Sequence, residues 1–483
     1  MAKKKIITLV AIVLAIIGGF VALHIVNNLD IEDDAIEAHE PIERPFVLGG
    51  QGADSPHVQT VEIHNEHGTF TIVNETPDEQ PHRFTVEGLE DYSLQNSRLI
   101  AIANAARSLA ATELLFEGGA DLAALGLSPP AATINITYLD GTSAVLLVGD
   151  SVPGGGGAYA MREGDTNVYL IPRTAADNFQ HRELDLVDLS ITTAVEHFPD
   201  ISKAVLGGSV RPEQIIIESD PPDEDRPMQF HTHLIVSPIQ NRLHSTLGFE
   251  PLSDSFGLRA SRVEARFESP EELAAWGLDE PYSTLEIESE VDDNFKLMVS
   301  APDEYGMVYL IRENLPFIYQ IDSELIPWLE LTYFDMMERI LILPFIDDID
   351  SLEINTPDRT VIISLEGEGN DLEVFVDGVP YEAEEGIDSV RNFRTLYQDF
   401  LITRYEAIPE EPMPSDAPIL IQFVYHYRDG RPSDTITIYE GAARRVFVQL
   451  NDETPMLGLS SFVDHLLRSI ESFLNGEQVV SYM

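Results

Sequence analysis

Three histidines in the middle of the chain are the residues whose types and spacing best suit a metal ion. One residue separates His231 from His233, so on a β-strand both imidazoles would lie on the same face. His244 follows shortly and could supply a third nitrogen ligand. A polar, solvent-facing strand explains the same pattern, and no carboxylate at matched spacing supports a metal. We therefore expect a polar strand and keep His231, His233 and His244 as candidate metal ligands.

The glycine run at residues 154–157 has the composition of a phosphate-binding loop, whose backbone N–H groups can hold an anion. A Walker loop, however, ends in Gly-Lys-Ser/Thr at the start of a helix, and here Ala158 and Tyr159 follow. Asp150, just before the run, would repel a phosphate. We interpret the run as a flexible hairpin connection, with a peptide-contacting loop as the alternative.

Carboxylates are too abundant for a catalytic pair to be recognised. With 83 Asp and Glu, every spacing occurs by chance, and a pair is informative only with burial and a cleft. The sequence lacks Gly-x-Ser-x-Gly, Ser-x-x-Lys, His-Glu-x-x-His and EF-hand patterns, and it contains no cysteine. No catalytic residue and no cofactor are indicated, although loose binding of divalent cations is compatible with this acidity.

The overall charge excludes one class of partner. The 483 residues include 29 Lys and Arg against 83 Asp and Glu, a net charge of −54, which repels nucleic-acid phosphates. A hydrophobic content of 44% is nevertheless enough for folded cores.

The N-terminus indicates a membrane anchor. Residues 6–26 are almost entirely apolar, which is the length of a spanning helix. Lys3, Lys4 and Lys5 precede this run and acidic residues follow it, so the positive-inside rule places the N-terminus in the cytoplasm. We expect an uncleaved single-pass protein of the cell membrane, with a cleaved signal as the alternative. The extracytoplasmic part would then carry −57, because only 26 Lys and Arg remain against the 83 acidic residues.

Internal repeats organise the rest of the chain. Residues 122–130 (LAALGLSPP) match residues 273–281 (LAAWGLDEP), and strand-like segments follow each copy up to 167–171 and 307–311. A third, more divergent copy covers 419–450. The repeat signature consists of Gly126, Leu127, Pro129, Asp140, Gly141, Gly149 and Tyr169 in the first copy and of Gly277, Leu278, Pro281 and Tyr309 in the second.

The pattern of each copy predicts an α+β fold. Asp-Gly turns between alternating strands are typical of antiparallel hairpins, and helical patterns begin at Ser97 and Ser389 after the front strands. We expect an N-terminal transmembrane helix followed by tandem antiparallel sheets with packed helices. The expected divisions are residues 1–27 (anchor), 28–57 (acidic tether), 58–190, 191–340 and 341–483 (three repeat units).

The chain resembles a bacterial family catalogued as the domain of unknown function 4340. The resemblance is closest over residues 95–180 and continues over 270–330 and 345–475. The residues that carry it are Gly126, Leu127, Pro129, Pro130, Asp140, Gly141, Gly149, Asp150, Pro153, Tyr159, Val168 and Tyr169. The resemblance implies a membrane-anchored extracytoplasmic protein, similar to the auxiliary partners of ABC-type export systems of the gliding-motility kind. It implies no catalytic residues.

The functional expectation is a non-enzymatic interaction scaffold. Tandem modules with sheet edges can accept a strand from another protein. The resemblance implies that this partner would be an ABC-type permease or a companion subunit. An envelope-polymer hydrolase that uses Asp or Glu and a module that binds a metal or small ligand are the alternatives.

Overall fold

The computed structural model describes residues 44–50, 55–221 and 231–482. These residues fall into two compact units. One contains residues up to Tyr92 together with Asn96–Glu183, and the other contains Ser93–Gln95 together with residues from Leu184 onward.

The first unit contains a small two-stranded pair and one large sheet. The pair consists of β1 (Phe46–Leu48) and β5 (Leu109–Ala110). Sheet 1 consists of β2 (Val58–Asn65), β3 (Gly68–Asn74), β4 (Phe84–Val86), β6 (Glu113–Glu117), β7 (Ala132–Tyr138), β8 (Ser143–Ser151), β9 (Gly157–Arg162) and β10 (Asn167–Pro172). Its order is β4-β3-β2-β7-β8-β9-β10-β6. The helices are α1 (Asn96–Arg107) and α2 (Arg173–Asp177). A 3₁₀ turn (Glu183–Leu186) begins at the last residue of this unit, and its other residues belong to the second unit.

Sheet 2 opens the second unit. It consists of β11 (Lys203–Gly207), β12 (Ile215–Ser219), β13 (His233–Ser237), β14 (Asn241–Arg242), β15 (Arg262–Arg266), β16 (Ser283–Glu288), β17 (Phe295–Val299), β18 (Met307–Arg312) and β19 (Phe317–Asp322). Its order is β14-β13-β12-β11-β16-β17-β18-β19-β15. Its helical segments are a π turn (Ser245–Phe249), α3 (Glu250–Ser253), 3₁₀ turns at Pro270–Trp276 and Ser323–Leu325, and α4 (Tyr333–Met336).

Sheet 3 completes the second unit. It consists of β20 (Ile349–Asn355), β21 (Thr360–Glu366), β22 (Glu373–Val376), β23 (Val379–Pro380), β24 (Ile419–Tyr427), β25 (Asp434–Glu440), β26 (Arg445–Leu450) and β27 (Met456–Leu459). Its order is β23-β22-β21-β20-β24-β25-β26-β27. The helices are α5 (Ser389–Leu401) and α6 (Ser460–Leu474), with 3₁₀ turns at Ile346–Asp348 and Gly369–Asp371.

The three sheets share one antiparallel plan. In each, a front meander and a back meander meet through their first strands, which are β2 with β7, β11 with β16 and β20 with β24. Alternation of apolar and polar side chains buries one face of these strands, as the pattern of β7 illustrates with Ala132, Ile134 and Ile136 inside. In sheets 1 and 2 an additional edge strand, β6 or β15, lies beside the last strand.

The longer helices bury the stripe that their sequence predicts. In α5 the buried Phe393, Leu396, Tyr397 and Phe400 recur at helical spacing, and the Asp388 carboxylate caps the helix by accepting the Arg391 N–H at 2.7 Å. The helices predicted from Ser97 and Ser389 are therefore confirmed, and so is an α+β fold of antiparallel sheets with packed helices.

The predicted membrane anchor, residues 6–26, lies outside the described residues. Within 44–50, 55–221 and 231–482, no helix has both the length and the apolar character that crossing a membrane requires. Part of the predicted tether differs from expectation. Residues 46–48 form β1, and Val47 and Leu48 are buried, because this apolar segment pairs with β5.

Candidate functional site

The Gly-Leu signature of the first copy forms a sharp reversal of the chain. Gly126 has a φ of 65°, in the left-handed region where glycine is favoured. The N–H of Leu127 then donates to the carbonyl of Leu122 at 2.9 Å, which closes the turn. This geometry points Leu127 into a core cluster with Met161 and Val168, where it is 2% exposed.

The reversal packs directly on strand β8. The Leu125 carbonyl accepts the Asp150 N–H at 3.0 Å and lies against the Cα of Gly149, while the Asp150 carboxylate lies against the Cα of Gly126. A side chain at position 126 or 149 would overlap these groups. The signature glycines therefore allow the turn to contact the strand.

The second copy repeats the reversal. Gly277 has a φ of 68° and follows a 3₁₀ turn, and the N–H of Leu278 donates to the carbonyl of Leu273 at 3.1 Å. Leu278 is buried, and Pro281 precedes β16 as Pro130 precedes β7. The packing here is looser, since a Cβ at Gly277 would lie 3.8 Å from the Ser300 Cβ.

The strand order corrects one part of the repeat alignment. Tyr169 lies in β10, whereas Tyr309 lies in β18, whose position in sheet 2 corresponds to β9 in sheet 1. Tyr309 therefore matches Tyr159, and Tyr319 in β19 matches Tyr169. The similar strings at 167–171 and 307–311 therefore lie in non-equivalent strands of different sheets, and they look alike because both follow the alternation of a half-buried strand.

The Asp-Gly and glycine-run segments form turns. Gly141 has a φ of 84° between β7 and β8, and the Asp140 carboxylate accepts the Thr142 N–H at 2.9 Å. Residues 152–156 connect β8 to β9, with Gly157 as the first residue of β9, and the N–H of Gly155 donates within the turn to the Val152 carbonyl at 3.0 Å. These segments have the hairpin geometry that the sequence predicts.

His231 and His233 occupy different environments. His231 precedes β13, and its Nε2 lies 3.0 Å from an Asp220 carboxylate oxygen. His233 is the first residue of β13, is 7% exposed, and donates from Nε2 to the Ile201 carbonyl at 2.8 Å. Burial lowers the pKa of His233 below its ordinary value. The expected polar strand facing solvent is therefore wrong at His233, because this ring packs inward.

His244 has a structural role of its own. Its Nδ1 accepts the N–H groups of Thr246 at 3.1 Å and Leu247 at 3.2 Å, and so caps the π turn. Across the described ranges, no three His, Cys, Asp or Glu side chains are grouped so that they could hold a metal ion. The structure thus does not bring His231, His233 and His244 together as a ligand set.

A buried cluster that no sequence motif indicated lies between α5 and α6. Asp399 is fully buried, and one of its carboxylate oxygens accepts from His465 Nε2 at 2.9 Å and from the Ser469 hydroxyl at 3.0 Å. A serine nucleophile would need the serine and the aspartate on opposite ring nitrogens. Here the Ser469 Oγ lies 3.1 Å from the same Nε2 and is buried, so this geometry is structural.

A second buried polar centre stabilises sheet 2. The Arg211 guanidinium donates to the carbonyls of Gly207 (2.9 Å), Trp328 (2.5 Å), Leu329 (3.2 Å) and Leu331 (2.8 Å). Burial without an acidic partner lowers the pKa of Arg211 to about 10.

The outer edge of sheet 1 has an apolar centre that is partly exposed. Strand β6 pairs only with β10 among the described residues, and it ends the sheet. Its centre is Leu114-Leu115-Phe116, and the Phe116 side chain is 41% exposed. Glutamates 113 and 117 flank this segment. An edge strand of this kind can form backbone hydrogen bonds with an added strand.

The corresponding edge of sheet 2 has the opposite character. Strand β15 alternates Arg262, Glu264 and Arg266 with Val263 and Ala265, and Arg262 donates to the Glu264 carboxylate at 2.7 Å. Charged side chains along an edge oppose the addition of a strand. The edge strands β6 and β15 occupy equivalent positions in their sheets, but β6 is better suited to accept a partner strand.

Residues 85–200 match the model of the family described as Domain of unknown function (DUF4340). This segment belongs to the DUF4340 family. It contains α1, the edge strand β6, the Gly126 reversal and the back meander of sheet 1. No curated protein and no solved structure matches the chain.

Asp399 and Arg211 were missed by sequence reasoning. One signal for Asp399 was available, because a lone carboxylate stands beside Phe400 in the apolar stripe of a helical pattern. Arg211 gave no such signal, since its partners are the Ser283 hydroxyl, the nearby Gly207 carbonyl and three backbone carbonyls 117 to 120 residues away.

Proposed function

We propose that this protein is a membrane-anchored interaction protein whose folded part lies outside the cytoplasm and docks an ABC-type export permease or its companion subunit. The apolar run at residues 6–26 would hold it in the membrane, and Lys3 to Lys5 would keep the N-terminus inside. The edge strand β6 would be the docking element.

The observation that carries this proposal is the contrast between β6 and β15. An edge whose centre is Leu114-Leu115-Phe116 invites pairing with other chains, and such edges are normally protected. The same position in sheet 2 is protected by charges. A partner strand added to β6 would satisfy its outward backbone groups and cover Phe116. Because the rest of the surface is strongly acidic, an apolar partner segment would contact this edge rather than the charged surface.

Site-specific photocrosslinking in native membranes tests the docking element. The full chain would carry p-benzoylphenylalanine in place of Phe116, and a matched version would carry it in place of Glu264 on β15. We expect adducts with a permease or companion subunit from position 116 and none from position 264. Absence of any transporter subunit among the adducts, or equal adducts from both edges, would contradict the proposal.

Membrane fractionation tests the anchor separately. Deletion of residues 2–27 is expected to move the protein from the alkali-resistant membrane fraction to the soluble fraction, because the spanning segment is then missing. The substitution of Lys3, Lys4 and Lys5 by glutamine is the control for charge alone, and it should leave the protein in the membrane. A deletion variant that stays in the membrane would show that residues 6–26 are not the anchor.

A further inference from the structure

An apolar cavity lies in the second unit between sheet 3 and α6. Its volume is about 260 Å³. Ile438, Val446 and Val448 line it from the sheet, and Phe462 and Val463 line it from α6. Apolar cavities of about 150 Å³ already accept benzene, so this space is large enough for a hydrocarbon ligand.

One polar group is buried in the wall of this cavity. Thr403, just after α5, is 2% exposed, and no described residue forms a hydrogen bond with its hydroxyl. A buried hydroxyl without a partner is unfavourable, and such groups in native proteins commonly meet a ligand or a water molecule. The hydroxyl can donate to a carbonyl or carboxylate oxygen.

The residues at the mouth of the cavity are polar, and two of them pair with each other. Arg404 donates from Nε to the Glu406 carboxylate at 2.7 Å, and both residues line the cavity together with Tyr482. The Arg404 side chain is 59% exposed, so this part of the lining faces solvent. Because these two charges are paired with each other, the rim has few unpaired groups that could form hydrogen bonds with a peptide backbone. The lining therefore favours an alkyl chain over a peptide segment.

Tyr482 lines the cavity and is connected to the buried cluster. Its N–H donates to the second carboxylate oxygen of Asp399 at 3.1 Å, and its ring packs edge-to-face on Phe462 at 5.2 Å. The ring also lies 5.1 Å from that of His465. Asp399 therefore helps to hold Tyr482 in place beside the cavity.

We propose that this cavity binds the hydrocarbon chain of an amphiphile with a carbonyl or carboxylate head, a fatty acid or a lipid acyl chain. The chain would lie between Val448 and Val463, and the Thr403 hydroxyl would donate to the head-group oxygen. Tyr482 would close over the bound molecule. This site is independent of the docking role of β6, because it belongs to the other compact unit.

Photolabelling of the full chain in phosphatidylcholine nanodiscs tests the site. The probes are a diazirine analogue of dodecanoate and a phosphatidylcholine with a diazirine in one acyl chain, which distinguish a free acid from a lipid. We expect adducts on peptides that contain residues 402–406 and 438–463, and competition by excess dodecanoate. Labelling confined to residues 6–26, or spread evenly along the chain, would overturn the proposal.

Three variants make the test specific. Val448→Phe fills the cavity and should abolish labelling there. Thr403→Val should weaken labelling about fivefold, the value of one hydrogen bond, while the unliganded protein is at least as stable to heat as the wild type. Thr437→Val, on β25, removes a buried hydroxyl that accepts from Gln422 outside the cavity, and it should leave labelling unchanged.

The variants also provide results that would count against the site. If Val448→Phe does not fold, as judged by circular dichroism, Thr403→Val still decides the question, because it preserves the shape of the side chain. Wild-type labelling in Thr403→Val would show that the hydroxyl contacts no ligand. Competition by an apolar peptide but not by dodecanoate would show that the occupant is a protein segment.

Discussion

The carbonyl oxygen of Leu125, in the Gly-Leu reversal, lies against the Cα of Gly149 in β8, and a Cβ added at Gly149 would lie 2.3 Å from this oxygen. The neighbouring Asp150 N–H donates to the same oxygen at 3.0 Å. This contact joins the Gly-Leu reversal to β8 and explains why two separate parts of the repeat signature contain glycine.

Gly149→Ala should therefore destabilise the first unit by about 1–3 kcal/mol, because the added methyl group overlaps a backbone carbonyl that is held by its own hydrogen bond. Hydrogen exchange of the β7 and β8 amides would measure the loss. Gly156→Ala is the matched control, since a Cβ there meets nothing within 4 Å, and it should change stability by less than about 0.5 kcal/mol. Equal effects would show that the contact is unimportant.

The two signature reversals should differ in their sensitivity to alanine. Both Gly126 and Gly277 have positive φ, which costs an alanine about 1 kcal/mol. Gly126→Ala adds an overlap with the Asp150 carboxylate, whereas the nearest atom at Gly277 is 3.8 Å away. We expect the larger loss at Gly126, measured by hydrogen exchange around each turn. Asp150→Ala in the same chain should restore part of it, and additive losses would contradict the overlap.

Arg211→Met should destabilise the second unit by more than about 3 kcal/mol, because four backbone carbonyls lose their donor while they remain buried. Denaturant unfolding followed by the fluorescence of the buried Trp328 would report the change. Arg259→Met is the control, since the Arg259 side chain is 59% exposed, and it should stay within about 0.5 kcal/mol. A small effect at Arg211 would show that water replaces the guanidinium.

Acidification should weaken the second unit through His233. Burial lowers the pKa of His233 in the folded state below 6.5, while the hydrogen bond to the Ile201 carbonyl and the carboxylates of Asp200 and Asp220 partly oppose this shift. The unfolded state then binds more protons as the pH falls through 6.5, so the stability that His233 contributes is present above 6.5 and lost below it.

Denaturant unfolding between pH 7 and pH 5 would measure this dependence against His233→Gln. The wild type should lose more free energy of unfolding than the variant over this range. His67→Gln, at a half-exposed histidine, is the control and should follow the wild type. Parallel curves for the wild type and His233→Gln would show that burial does not shift the titration.

Local patterns gave the class of the fold because their causes are local. A positive φ favours glycine, an Asp-Gly pair favours a hairpin, and alternation buries one face of a strand, so Gly126, Gly277 and Asp140-Gly141 lie where the sequence predicts. The sequence did not establish which strands of the two copies are equivalent. Tyr169 and Tyr309 have similar neighbours in sequence, yet they lie in non-equivalent strands, and only the pairing of strands distinguishes them.

The environments of individual polar residues depended on the tertiary structure. Spacing alone placed His231 and His233 together, but whether a ring packs inward depends on elements distant in sequence, such as the Ile201 carbonyl that His233 meets. The packing of α5, α6 and the C-terminal residues likewise brings together Asp399, Thr403 and Tyr482. The sequence determined periodicity, turns and charge, which are properties of neighbouring residues. Burial and cavities arise from contacts between distant ones, so the structure alone decided them.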